Sequence, residues 1–235
     1  MTIEAPGWYG KLPTLGDFAS RRLGPAFIEA WDAWLAAGIS RLREADSVQW
    51  LPAYLVSPSW RFLLTQGALQ GEVGTKPWVG VLMPSVDRVG RYYPLTIAQQ
   101  LQVLPSDEAD CQQLSDWCDR VVEIAVAALF DDWTVDRLEA ALHKLPPPAA
   151  FTGVPPQTPT VEEVSSLADW LGSLPIDTDG ATFWRSNGDD EHPAAFTAQG
   201  LPGEAGFAVL FAQSGAHRQP GQKYGSRWGG FMRLM

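Results

Sequence analysis

The chain has 235 residues, 46% of them hydrophobic and 19% charged, so it can bury a sizeable core and is not disordered as a whole. Its formal net charge of −10 disfavours phosphate backbones and anionic lipid heads as partners. The first 24 residues lack the apolar run of a signal peptide, and no stretch approaches the roughly 20 apolar residues of a membrane helix, so a cytoplasmic location is expected.

In chain order, Gly7-Trp8-Tyr9-Gly10-Lys11-Leu12-Pro13 predicts a short strand and then a loop punctuated by Gly and Pro, running to Phe18. Pro25 suits a first helical position, and Phe27, Ile28, Trp31, Trp34, Leu35 and Leu42 recur at helical spacing, which predicts an amphipathic helix over 25–45. Four aromatic and aliphatic segments follow at 50–56, 60–64, 78–83 and 92–101 and are expected to be strands. Their short connections suit antiparallel neighbours, because parallel ones need long crossovers. Gly67, Gly71 and Gly74 mark 67–76 as a long mobile loop.

Ser106 is expected to cap a helix whose apolar stripe is Cys111, Leu114, Cys118, Val121, Ala125 and Ala128. The two cysteines lie seven apart on that stripe, about 10 Å at ~1.5 Å rise per residue, beyond disulfide reach. Buried free thiols are therefore expected. A second helix is expected over 134–145, with His143 near its C-terminal end. Six prolines within 146–159 read as a surface loop, and Thr160 with Glu163 form a capping-box pattern for a helix to about residue 171. Strands are expected at 181–185 and 207–212, separated by an acidic loop at 187–193. The tail, 214–235, carries no definite pattern, and a frayed terminus is its plainest reading.

The search for chemistry finds little. Gly10-Lys11 is not a phosphate loop, because no glycine stands five positions before Gly10 and Leu12 replaces the required Ser or Thr. There is no Gly-x-Ser-x-Gly elbow, no Cys-x-x-Cys and no His-Glu-x-x-His, so no catalytic residue, metal or cofactor is assigned. The most informative segment is Pro84-Ser85-Val86-Asp87-Arg88-Val89-Gly90-Arg91. Pro84 stops the preceding strand, Ser85 and Asp87 suit bonds to nearby backbone amides, and Gly90 permits a positive φ. Arg88 and Arg91 offer planar forks to carboxylates or carbonyls. One reading is a rigid hairpin connection with an internal Asp–Arg pair. A second, compatible with it, is a charged loop presented to a partner. A third is an anion site in which Asp17, Asp87, Arg88 and Arg91 gather in one cleft to act on phosphate esters. Asp17 either caps a turn or pairs with this loop. Trp8, Trp60, Trp78 and Trp184 stand beside Gly, Pro or Arg and are expected to include contact-patch residues, against core packing as the plainer alternative.

These residues carry a resemblance. Gly7 to Pro13, then Gly16-Asp17-Phe18, then Trp31 with Trp34-Leu35, look like the opening of the TagF (also called ImpM) family of type VI secretion accessory proteins. Pro58-Ser59-Trp60-Arg61-Phe62 and the 84–91 segment with Pro94-Leu95 resemble it further in the same order, and Ala181-Thr182-Phe183-Trp184 matches more loosely. The strong part covers about 7–101. The resemblance implies an α/β fold, an α-β-α sandwich whose mixed, largely antiparallel sheet is flanked by helices. It also implies a cytoplasmic, non-enzymatic regulator that represses assembly of the secretion machine after translation. Such proteins act beside a Ser/Thr kinase, a phosphatase and a forkhead-associated scaffold protein, the last being the expected partner. The candidate interaction residues are Lys11, Asp17, Phe18, Trp60, Ser85, Asp87, Arg88, Gly90, Arg91 and Trp184. A structural subunit of the apparatus is the further alternative. One domain over 1–235 is expected, with 160–235 packing on the 7–101 core.

Overall fold

The computed structural model describes residues 5–148, 179–186 and 195–211. Within them the order is β1 (Gly7–Gly10), β2 (Ala19–Arg21), α1 (Pro25–Ala45), α2 (Trp50–Leu55), β3 (Trp60–Leu64), β4 (Trp78–Met83), β5 (Leu95–Gln100), α3 (Glu108–Phe130), α4 (Val135–Leu142), β6 (Ala181–Ser186), β7 (Ala195–Gln199) and α5 (Glu204–Phe211). The strands make one seven-stranded sheet in the order β2-β1-β5-β4-β3-β6-β7. Every pairing among them is antiparallel, which the short connections require.

Alternation along the strands splits the apolar residues between two faces. Leu63, Val79, Val81, Ile97, Phe183 and Trp8 pack with α3 and α4. Phe62, Leu64, Leu82, Ala98, Trp60 and Trp184 pack with α1, α2 and α5. The result is the expected α-β-α sandwich. The apolar stripe of α3 is buried throughout, and Cys111 and Cys118 are buried free thiols within it. Burial pushes the Cys118 thiol up to about 12, which keeps it protonated and unreactive at neutral pH. No helix among the described residues is long and apolar enough to cross a membrane.

Several local expectations are corrected. Residues 50–55 are helix, not strand. Pro52 sits in the first turn, where an amide has no helical acceptor to lose, and Asp46 Oδ1 accepts from the amides of Val48 and Gln49 just upstream. The apolar run at 207–211 is the helix α5, whose Phe207, Leu210 and Phe211 are all buried, so it lacks the polar face that marks a helix in sequence. The 67–76 segment is not a mobile loop. It folds over a 3-10 turn at Glu72–Gly74, buries Ala68 and Leu69, and offers the Val73 carbonyl to Trp78 Nε1 at 2.8 Å. The cap of α3 is Asp107, which accepts from the Asp110 amide, while Ser106 bonds the Asp110 carboxylate. Strands β2 and β7 were not anticipated; both are short and carry little β-branched or aromatic content. The helix expected near 160–171, the acidic loop at 187–193 and the tail at 214–235 lie outside the described residues.

The four tryptophans expected in a contact patch are core residues: Trp8, Trp60 and Trp184 are at most 1% exposed and Trp78 is 8% exposed. Each indole N–H finds an internal acceptor: Glu139 for Trp8, the Leu210 carbonyl for Trp60, the Val73 carbonyl for Trp78 and Thr182 for Trp184. A Trp with its N–H satisfied inside has no polar reason to reach the surface. The patch expectation therefore fails, and Trp60 and Trp184 hold the core together.

Helix α1 reaches α5 through Gly38, where an added Cβ would fall 2.3 Å from the Phe207 ring. That ring packs against Trp34 and Phe211, so making space for the added Cβ means disturbing both contacts. Gly38→Ala should therefore destabilise the fold by about 1–3 kcal/mol although alanine is the better helix former, and Phe207→Leu added to it should recover part of the loss in urea melts.

Candidate functional site

The centre of the candidate site is the Asp87 carboxylate, fully buried at the connection between β4 and β5. Four donors converge on it. Lys11 Nζ and Arg91 Nε donate to Oδ2 at 2.8 and 2.7 Å. The Val89 and Arg91 amides donate to Oδ1 at 3.0 and 2.9 Å. The backbone closes the same turn, with the Asp87 amide donating to the Arg91 carbonyl and the Gly90 amide to the Asp87 carbonyl, both at 3.0 Å. Gly90 takes φ +80°, the conformation its position was expected to need. Burial alone would raise the Asp87 pKa. The bonds from Lys11, from the Arg91 amide and guanidinium, and from the Val89 amide outweigh it and hold the carboxyl well below the usual carboxylate range.

This turn is sewn to the loop after β1. The Arg88 amide donates to the Leu15 carbonyl at 3.1 Å, and Arg91 Nη2 donates to the Gly16 carbonyl. The Ser85 side chain was expected to bond an amide of its own turn and does not; only its backbone carbonyl does, accepting from the Tyr93 amide at 3.1 Å. Its hydroxyl donates to the Lys11 carbonyl at 2.7 Å, and its amide donates to the Tyr54 hydroxyl at 2.9 Å. The Tyr54 hydroxyl in turn donates to the Ser85 carbonyl at 3.0 Å. Three segments far apart in sequence thus share one polar knot.

Phe18 roofs it. Its ring lies 4.1 Å from Lys11 Nζ, stacks on Tyr9 at 5.8 Å and meets Tyr93 edge-on at 4.7 Å, yet it remains 43% exposed. Beneath it, the Tyr9 and Tyr93 hydroxyls both donate to Asp32 Oδ1 of α1, at 2.5 and 2.6 Å. Burial, and then the Asp32 carboxylate, push both phenols above their ordinary range.

The four residues imagined in one cleft do not share one. Asp87 and Arg91 are paired to each other. Asp17 is exposed and accepts only from the adjacent Phe18 amide among the described residues. The Arg88 side chain is exposed at the tip of the turn beside Val89, which is 64% exposed. Lys11 has its ammonium committed to Asp87 rather than open to a phosphate. Sequence reasoning missed the link from Lys11 to Asp87 and the sharing of Asp32 by two tyrosines. The partners stand 76, 23 and 61 residues apart, and no local pattern announces such contacts.

The type VI secretion system-associated TagF N-terminal domain family matches residues 7–145. The chain belongs to that family. The match runs beyond the 7–101 stretch that carried the motif resemblance and takes in α3 and α4. The solved structure of PA0076 from Pseudomonas aeruginosa PAO1 is similar to the chain at 32% identity and a TM-score of 0.68, covering 93% of this chain and 100% of that one. No curated protein matches it.

Asp87→Asn keeps the shape of the knot but leaves the Lys11 ammonium buried without its counter-charge. It should cost about 3–5 kcal/mol at pH 7, against less than half of that for Arg91→Ala, whose side chain is 52% exposed. The pH dependence has a definite sign. A depressed folded pKa means that the unfolded chain binds more protons, so the contribution of Asp87 is full above the unfolded value of about 4 and is lost as pH falls below it. Thermal melts of the wild-type chain should weaken from about pH 5 downward, and those of Asp87→Asn should weaken less over the same range. At the alkaline end the raised phenols act oppositely: stability is full below about pH 10 and falls above it. Tyr93→Phe should flatten that alkaline decline.

Proposed function

We propose that this chain is a non-enzymatic, post-translational repressor of type VI secretion system assembly that works by binding another component, with a forkhead-associated scaffold protein as its partner. Membership of a family associated with that system supports the setting. The observation that carries the mode of action is how the knot uses its charge. Lys11, Asp87 and Arg91 satisfy one another, so they position a loop instead of facing a substrate. What the loop turns outward is the Arg88 guanidinium, Val89 and, from the adjoining loop, Phe18. An arginine flanked by apolar side chains on a rigid support is the composition of an interface anchor, and rigidity lowers the ordering cost of binding.

Deleting the gene should raise secretion in cells whose upstream kinase is inactive. Restoring the wild-type chain should return secretion to its repressed level. Arg88→Glu and Val89→Asp, both at the exposed tip and outside the buried pairs, should fold normally yet bind the scaffold at least ~10-fold more weakly in a pull-down with purified components. Secretion unchanged by the deletion, with the remaining machinery intact, rules the repressor reading out.

A further inference from the structure

The surface proposed for binding is made by two segments of different build. The β4–β5 turn carries Arg88 and Val89 and is locked by its own bonds. Asp87 Oδ1 accepts from the Val89 and Arg91 amides, and the Gly90 amide closes on the Asp87 carbonyl. The loop after β1 carries Phe18 and has less to hold it. Between Leu12 and Phe18, two internal hydrogen bonds are found among the described residues: the Leu15 amide to the Leu12 carbonyl and the Phe18 amide to Asp17 Oδ1. Residues 16–18 are exposed, and an added Cβ at Gly16 would meet nothing within 4 Å, so packing does not fix the backbone there. The Phe18 ring rests on Tyr9 and Tyr93, but the segment leading to it is tied down from outside.

Three ties follow one another along that segment. The Thr14 hydroxyl donates to the Trp133 carbonyl at 2.8 Å, the Leu15 carbonyl accepts from the Arg88 amide at 3.1 Å, and the Gly16 carbonyl accepts from Arg91 Nη2. The last stands two residues before Phe18 and comes from a side chain that serves both segments at once. Arg91 Nε donates to Asp87 Oδ2 at 2.7 Å, inside its own turn, while Nη2 reaches across to the other loop. The Arg91 amide bonds the same carboxylate at 2.9 Å. A planar fork held by Asp87 at its base and along its shaft has both the distance and the direction of its second prong set.

We propose that Arg91 is the positioning residue of the binding surface: by holding the Gly16 carbonyl from the Asp87-anchored turn, it sets Phe18 in a fixed place relative to Arg88 and Val89, so that the partner meets two loops as one preformed surface. This rests on the binding role proposed above for the tip. The kinetic signature of such a residue differs from that of a contact. Loosening the link lowers the fraction of molecules with both loops in place, which slows association. Removing a side chain that touches the partner speeds dissociation instead.

Arg91→Lys separates the two prongs. Lysine keeps the charge and reaches Asp87, but its ammonium ends one atom short of Nη2 and has no second prong for Gly16. In the free full-length chain, amide order parameters at Gly16, Asp17 and Phe18 should fall from about 0.85 toward 0.6, while those at Val89 and residue 91 stay high. Against the purified forkhead-associated scaffold, Arg91→Lys should slow association by at least ~10-fold with dissociation nearly unchanged, whereas Arg88→Ala should speed dissociation. Arg137→Lys, at an exposed arginine outside the knot, should alter neither rate. Arg91→Gln, whose amide nitrogen stands where Nε does, repeats the test should Arg91→Lys lower the thermal midpoint. Unchanged order parameters at 16–18 overturn the proposal. So does a loss of affinity carried by dissociation alone, which makes Arg91 a contact. Wild-type rates in both variants overturn it and leave the repressor reading standing. A wild-type chain that does not bind the scaffold overturns both.

Discussion

The arrangement at the β4–β5 connection depends on one buried carboxylate. Asp87 is shut off from water and would be costly there as an isolated charge, yet it accepts from two cations and two amides. Those four bonds tie the residue after β1 to the turn itself, and the Arg88 amide and the Arg91 guanidinium carry the link on to the Leu15 and Gly16 carbonyls. Ser85 and Tyr54 then extend the same knot to α2. Because each group answers another, the loop is rigid without relying on apolar packing at its tip. That frees Arg88, Val89 and Phe18 to stay at the surface.

Around this knot the tryptophans do structural work of a second kind. On the α1 side of the sheet, Trp31, Phe62, Trp34 and Trp184 pack ring against ring with centroids 4.8 to 6.2 Å apart. The indole N–H groups double as links between layers. Trp31 donates to Thr96 on β5, Trp60 to the Leu210 carbonyl of α5, and Trp34 to the Pro202 carbonyl just before α5. Each residue therefore supplies a large apolar area and one directional bond, and together they fix how the helices sit on the sheet. On the α4 side, Trp8 and Arg22 share Glu139, whose pKa burial would raise but whose bonds to Arg22 and Trp8 lower it.

This division of labour bears on function. In this member of a secretion-associated family the most enzyme-like cluster of charges is turned inward on itself, which is the observation behind the binding role proposed above.

The periodicity of 25–45 and of 111–128 was sufficient to place α1 and the buried stripe of α3, because a long amphipathic helix writes its contacts into its spacing. The strands at 60–64, 78–83 and 181–185 were legible as short apolar and aromatic runs between Pro and Gly, although the same signal misplaced 50–56 and 207–212. Short or wholly apolar elements were not. α2 hid behind Pro52 and α5 behind its lack of a polar face, since both are helical by virtue of what covers them. The same limit applied to the site. An Asp–Arg pair inside the turn was readable because it is local, but the structure decided that Arg91 and not Arg88 makes it. That Lys11 completes it, that Ser85 reaches Lys11, and that Trp60 and Trp184 are core residues are all long-range facts. Sequence by itself determined the residue types, the antiparallel connections and the family. Only the tertiary structure decided which charges neutralise one another and which stay exposed, because that depends on groups brought together from distant parts of the chain.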